Sequence, residues 1–323
     1  FYHPKIRLVK NSISYVENYF SKVNDFYIIY GCKILIKKKN FYLINSSFLR
    51  FIIGANLFLS VQPSENFTYG SKKIYMHHSI HDEPLVVKKK EKELALILSK
   101  YDHIIVSSEL VKKLFQSLFK KNVKTKISVF RYMKINYAIK KIKKRYSTNI
   151  KTILIAPTNY LSEPKITIQK KIKDIIYLLL KKNYKIIYRP HPSNLSDKKI
   201  DKIKKNFQNN KKFIFDSKPD YYKSFEKSDL MVTDLSGSAY MYVVTSSKPA
   251  IFFSLNEKYL KSIGYSKLSY FKDRKKIGYI VKSNKDLIKI LNFKNIIKHK
   301  KNEIKNFKSS FFSTNDINFN YFL

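Results

Sequence analysis

Along this chain, short runs of apolar residues rich in Ile, Val, Phe and Tyr alternate with longer segments whose apolar positions recur every three or four residues. The first pattern is that of a strand buried on both faces and the second that of a helix with one buried stripe. Their alternation predicts βα units and a parallel sheet. Two such blocks stand out. In the first, 26–31 (FYIIYG), 73–79 (KIYMHHS) and 103–108 (HIIVSS) read as strands, and 90–100 and 109–120 as helices. In the second, 152–157 (TILIAP), 184–190 (YKIIYRP), 212–215 (KFIF), 230–234 (LMVTD) and 249–253 (PAIFF) read as strands, with helices at about 166–182, 196–209, 219–228 and 237–246 between them. A basic and then polar run, 138–150 (AIKKIKKRYSTNI), is read as the connection between the blocks. The expectation is an α/β protein of two Rossmann-like domains, 1–145 and 146–323, facing a cleft where the carboxyl ends of the strands present ligand contacts. The tail 294–323 is expected to pack back as a helix and to end loosely.

Composition narrows the class. At 323 residues and 44% hydrophobic content the chain can fill two cores, and its 25 Tyr and 24 Phe exclude disorder despite the charge. Lys and Arg outnumber Asp and Glu by 65 to 23, a net charge of +42. Only six of the cations are Arg, and the Lys lie along nearly the whole chain beside Ile and Asn, as an AT-rich coding sequence would give. A reader of bases leans on the bidentate Arg fork, so nucleic acid is disfavoured as a partner, whereas an anionic membrane surface or a polyanionic substrate remains expected. Cys32 is the single cysteine, which excludes a disulfide framework and a cysteine-rich zinc site and fits a reducing compartment. The apolar stretch from Leu49 to Val61 contains Arg50 and Asn56 and falls short of the roughly 18–20 residues that span a bilayer. With no secretory pattern and a chain that opens on Phe1 as a trimmed one would, the expected location is cytoplasmic, peripheral on the inner face of the cell membrane.

Three stretches carry candidate chemistry. In YRPHPSN, Pro190 and Pro192 stiffen the backbone around His191 as it leaves a strand, and Arg189 adds a cation. A fixed cation and a titratable donor suit a phosphate that is losing its bond to a leaving group, and a structural turn with a surface histidine is the alternative. In TDLSGSAYMYVV, a strand ends at Thr233 and Asp234, and a helix begins around Ser236, Gly237 and Ser238. Hydroxyls and amide N–H groups at a helix start form an anion site, or else a plain N-cap. In YMHHSIHDEPLV, His77 and His78 alternate faces if the strand persists, and His81 lies in the following loop, free to act as a general base. The spacing of these histidines and of Asp82 and Glu83 matches no established ligand set, so no metal and no cofactor are expected.

The order of these stretches resembles the CDP-glycerol glycerophosphotransferase family of teichoic-acid and capsule synthesis. The parts that carry the resemblance are a histidine loop with HDEPL at 81–85, RPHP at 189–192, TDLSGS at 233–238 and KPAIFF at 248–253, over about residues 74–255. The family usually reads H-G-T-P-L in the first loop and T-D-Y-S-S in the third, so Asp82, Glu83 and Leu235 depart from it. The resemblance implies a glycosyltransferase-B-like (GT-B-like) pair of domains, the second holding a CDP-linked donor and the first admitting a glycopolymer or lipid-linked acceptor. It also implies two catalytic histidines, His81 and His191, with His78 as the other candidate base. Arg189, Thr233, Asp234, Ser236, Gly237 and Ser238 are the expected donor contacts. The function so implied is transfer of a phosphopolyol, most simply glycerol phosphate, to a hydroxyl of a cell-surface glycopolymer precursor. The alternatives are a glycosyltransferase of the same architecture using a nucleotide sugar, although the E-x7-E pattern of many retaining members is not found, and a non-catalytic basic module that binds nucleic acid or lipid.

Overall fold

The computed structural model describes the strands Ile28–Gly31, Lys37–Lys38 and Phe41–Ile44 and then residues 57–311, apart from 61–62, 64, 66, 68–69, 78–79, 82–90, 120–123, 132, 144–148 and 162–163. His78, Asp82, Glu83, Cys32 and the tail beyond Phe311 therefore lie outside the described residues. Two compact units result, the second spanning Ala138–Ser310.

In the first unit, β1 (Ile28–Gly31) pairs in parallel with β3 (Phe41–Ile44), which pairs antiparallel with β2 (Lys37–Lys38). The larger sheet runs β4 (Leu57–Ser60), β5 (Lys72–Met76), β6 (His103–Val106) and β7 (Lys126–Val129) in that order, all parallel. Every residue of β6 is buried, as a strand covered on both faces requires. Helices α1 (Glu91–Leu98) and α2 (Glu109–Leu118) bracket β6 in the chain. Helix α2 starts where the Ser108 side chain accepts from the Val111 N–H at 3.3 Å, and it buries Val111, Phe115 and Leu118 at a spacing of one and two turns. These three join Phe58, Tyr75, Leu98 and Tyr101 in one core.

The second unit is a six-stranded parallel sheet. Its strands are β8 (Thr152–Ile155), β9 (Lys185–Tyr188), β10 (Phe213–Phe215), β11 (Leu230–Thr233), β12 (Ala250–Phe253) and β13 (Gly278–Val281), in the spatial order β10-β9-β8-β11-β12-β13. The chain starts in the middle, builds to one edge, returns and builds to the other, which is the doubly wound arrangement. Between strands run α4 (Ile172–Lys181), α5 (Lys198–Phe207), α6 (Tyr222–Lys227) and α7 (Gly237–Ser246). Helix α5 is Lys-rich yet buries Ile200, Ile203 and Phe207, so its periodicity outweighs its charge. At the amino edge, Asp229 Oδ2 accepts from the N–H groups of Lys151 and Thr152, both at 2.9 Å, pinning the start of β11 to the start of β8.

Five strands had no prediction: β2, β4, β7 and β13 lie at sheet edges, where fewer apolar residues are needed and the signal is weak, and β3 is the central strand of its small sheet. The segment read as a connection at 138–150 begins inside a helix, α3 (Met133–Lys141), which buries Ile135 and Ala138. The final described helix, Lys301–Phe311, buries Ile304 and Phe307, the latter 6.2 Å from the Tyr240 ring.

Gly278 opens β13 directly beside β12. A Cβ there would sit 1.9 Å from the Ala250 carbonyl oxygen, a backbone atom that cannot turn aside. Gly278→Ala should therefore lower stability by ~1–3 kcal/mol or more through overpacking, read as a lower urea midpoint at an unchanged slope.

Candidate active site

The strand order reverses between β8 and β11, and at such a point in doubly wound sheets the crevice outside the carboxyl ends of the strands is the usual ligand position. The loop after β8 is bound tightly along that edge. The Ala156 N–H donates to the Val232 carbonyl at 3.1 Å, and the Thr233 hydroxyl donates to the Ala156 carbonyl at 2.6 Å. Asp234 accepts from the Thr158 N–H at 2.8 Å on Oδ1 and from the Ile168 N–H at 3.0 Å on Oδ2. Its side chain therefore closes both ends of the loop. Burial pushes the Asp234 carboxyl up to about 6, with the amides that donate to it pulling the other way.

Three expected donor contacts thus face inward. Thr233 and Asp234 are buried and engaged with the β8 loop. Arg189 donates from Nη1 to Asp216 Oδ2 at 2.7 Å and from Nη2 to the carbonyls of Lys218 and Pro219 at 3.0 and 3.4 Å. The guanidinium anchors the loop after β10, because a cation this enclosed needs a carboxylate and carbonyls around it. Ser236 and Ser238 do stand at the start of α7: Ser236 Oγ accepts from the Ser238 N–H at 3.3 Å and lies 2.8 Å from Ser238 Oγ. Gly237 and Ser238 are half-buried. This helix start joins N-cap, hydroxyls and dipole at the crevice.

His191 follows β9, the strand on the other side of β8. It caps the 3-10 turn Pro192–Asn194, and its Nδ1 accepts from the Ser193 N–H at 3.2 Å. A nitrogen that accepts from an amide carries no proton, so the neutral ring bears its hydrogen on Nε2. Burial pushes this imidazole down to about 4. His191 is therefore a neutral hydrogen-bond donor through Nε2 near pH 7.

In the first unit the loop after β5 was expected to leave His81 free to move. Instead His81 is fully buried, and the loop is held from two sides. His77 Nε2 lies 3.3 Å from the His81 carbonyl, and the Ser107 hydroxyl donates to the Ile80 carbonyl at 3.0 Å. A carbonyl only accepts, so Nε2 of His77 carries the proton and Nδ1 accepts from the Tyr75 hydroxyl at 3.2 Å. The Phe115 ring packs edge-on at 5.0 Å. His77 positions the loop, and sequence spacing alone gave no signal for that. Asn159 and Asn194, which join the loops after β8 and β9, were also missed, since an Asn in a turn normally signals only the turn.

His191 sets a pH dependence. The unfolded ring titrates near 6.5 and the folded one near 4, so the unfolded chain takes up the proton first as pH falls. The buried neutral ring contributes stability that is complete above pH 6.5 and lost between 6.5 and about 4. His103, pushed to about 4 by burial and by Lys126 and Lys72, acts in the same direction, whereas Asp234, raised to about 6, takes up its proton first in the folded state and opposes both; His191→Gln should therefore raise the urea midpoint at the acid end of the window relative to its value at pH 7, compared with the wild type. An identical pH profile in the variant would show that burial of this ring does not govern its titration.

The comparisons with known proteins agree on architecture. A family model described as CDP-glycerol:poly(glycerophosphate) glycerophosphotransferase matches residues 66–320. The fold is similar to that of the wall teichoic acid polymerase TagF, with a TM-score of 0.61 and 17% identity over 94% of this chain and 82% of that one. A TagF variant soaked with CDPG gives 0.63 and 16% over the same shares. MnaA of S. aureus with UDP gives 0.64 and 10% over 98% of both chains. At such identities the likeness shows the fold, which is GT-B-like. Among individually curated proteins none matches significantly.

Proposed function

The chain belongs to the CDP-glycerol:poly(glycerophosphate) glycerophosphotransferase family, and on that footing we propose how it moves a phosphopolyol, most simply glycerol phosphate, from a CDP-linked donor to a hydroxyl of a cell-surface glycopolymer precursor. The observation that carries the assignment of residues is His191, a neutral ring whose Nε2–H is left as donor while Nδ1 is occupied by the Ser193 amide. In this reading the donor diphosphate lies at the crevice between β8 and β11, against the start of α7 at Ser236, Gly237 and Ser238. The acceptor hydroxyl loses its proton to one of the two candidate histidines, His81 or His78. Its oxygen attacks the glycerol-bearing phosphorus, the bond to the bridging oxygen breaks, and CMP leaves. His191 and the helix start stabilise the charge that builds on the diphosphate, which is preorganised electrostatics rather than covalent catalysis. Thr233, Asp234 and Arg189 hold the loops that present these groups.

His191→Ala should fold and bind CDP yet turn over CDP-glycerol ~10²-fold more slowly, the scale of one preorganised donor. His81→Ala should lose most transfer with CDP binding intact. If His78→Ala is inactive while His81→Ala keeps near-normal kcat, the base is His78. Turnover with nucleotide sugars in place of CDP-polyols would replace the donor assignment with the glycosyltransferase reading.

Attachment to the inner face of the membrane is part of the same proposal. Among the described residues no helix is long and apolar enough to cross a bilayer, and a chain of net charge +42 is drawn to anionic lipid by screened attraction. Co-sedimentation with anionic vesicles should fall as salt rises. Equal binding to neutral vesicles would remove the electrostatic basis.

A further inference from the structure

Asn194 ends the 3-10 turn that begins at His191, and it is buried to 1% exposure. Its backbone N–H donates to the His191 carbonyl at 2.9 Å, so the two residues move together. Its side chain reaches out of the turn. Oδ1 accepts from the Tyr160 N–H at 3.3 Å, and Nδ2 donates to Asn159 Oδ1 at 2.9 Å. Asn159 Oδ1 also accepts from the Leu161 N–H at 3.1 Å. Backbone amides thus fix which atom of each carboxamide is oxygen: neither Asn194 nor Asn159 can flip without setting N–H against N–H. The result is a directed bridge from the loop after β9 to the loop after β8.

We propose that Asn194 is a positioning residue that sets His191 against the β8 loop, so that its effect on transfer passes through His191. The two loops differ in their other supports. The β8 loop stays anchored at both ends by Asp234 and at Ala156 by Thr233. The turn at His191 is otherwise held by its own backbone and by Asp197, whose N–H donates to the Asn194 carbonyl at 3.1 Å and whose carboxylate faces the Tyr160 hydroxyl of the β8 loop. Loss of the bridge therefore displaces His191 and leaves the donor crevice in place. The chemistry is asymmetric as well. Asn159→Asp keeps an oxygen that accepts from both Leu161 and Asn194, whereas Asn194→Asp sets one carboxylate oxygen against Asn159 Oδ1 and breaks the bridge.

This inference rests on the assignment of His191 to transfer, and a double-mutant cycle on the full chain separates the two. Steady-state turnover of CDP-glycerol and CDP affinity would be measured for Asn194→Ala, Asn194→Asp, Asn159→Asp, His191→Ala and the double variant Asn194→Ala/His191→Ala. The expected result is a kcat at least tenfold lower in both Asn194 variants, with CDP affinity within twofold of wild type. Asn159→Asp, which keeps the accepting oxygen of the bridge, loses less kcat than Asn194→Asp, and the double variant is no slower than His191→Ala alone. If His191→Ala is slow but Asn194→Ala multiplies the loss, or leaves kcat unchanged, the positioning role is overturned while that of His191 stands. A wild-type kcat in His191→Ala overturns both. If Asn194→Ala does not fold, Asn194→Asp against Asn159→Asp decides: equal kcat in the two folded variants overturns the proposal.

Discussion

The carboxylate of Asp234 is the constraint on which the carboxyl edge of the second sheet depends. A buried charge at the end of β11 is costly, and two backbone amides, from Thr158 and Ile168, partly offset that cost. In return the carboxylate gives partners to the Thr158 and Ile168 amides and so closes the loop after β8. Removing it would orphan two amides, each at about 1–3 kcal/mol if kept from water. Asp234, expected as a donor contact, is therefore also the residue that fixes the loop after β8 along the carboxyl edge.

The same division of labour recurs around the other polar residues at that edge. Arg189 spends its fork on Asp216 and two carbonyls, fixing the loop after β10, while His191, two residues on, keeps Nε2 available. Charged groups hold the frame and a neutral ring is presented. The selection follows from desolvation: at a partly buried position an unpaired cation is far less stable than a neutral imidazole, so burial leaves the proton-poor form. The first unit uses a similar device, where the His77 ring, its tautomer set by a carbonyl, holds the loop that carries His81.

Family membership and these geometries answer different questions. The matched family fixes the class of reaction, transfer of a glycerol phosphate unit, and the parallel sheets place the loops where such folds bind nucleotides. The proposed roles of individual side chains rest on the loops that carry the resemblance and on the hydrogen bonds that orient them. Much of the positive charge stands outside the core: in α5 the Lys residues occupy the exposed positions and Ile200, Ile203 and Phe207 make the core. A net charge of this size creates a field that reaches beyond contact distance.

The sequence by itself determined the alternation of strands and helices, the α/β class, the loops that matter and the family, because periodicity and turn chemistry act between residues a few positions apart. It read β8 through β12 and helices α4 to α7 nearly to their ends, and it found His191 by the two prolines that flank it. It missed β2, β3, β4, β7 and β13, four of which lie at sheet edges, where weak burial leaves a weak pattern. Tertiary structure alone decided which polar residues of those loops turn inward. Asp234 meets amides 66 and 76 positions away, Thr233 a carbonyl 77 away, and Asn194 a partner 35 away. Orientation of a polar side chain is set by the partner it finds, and when that partner comes from a distant strand no local pattern can announce it.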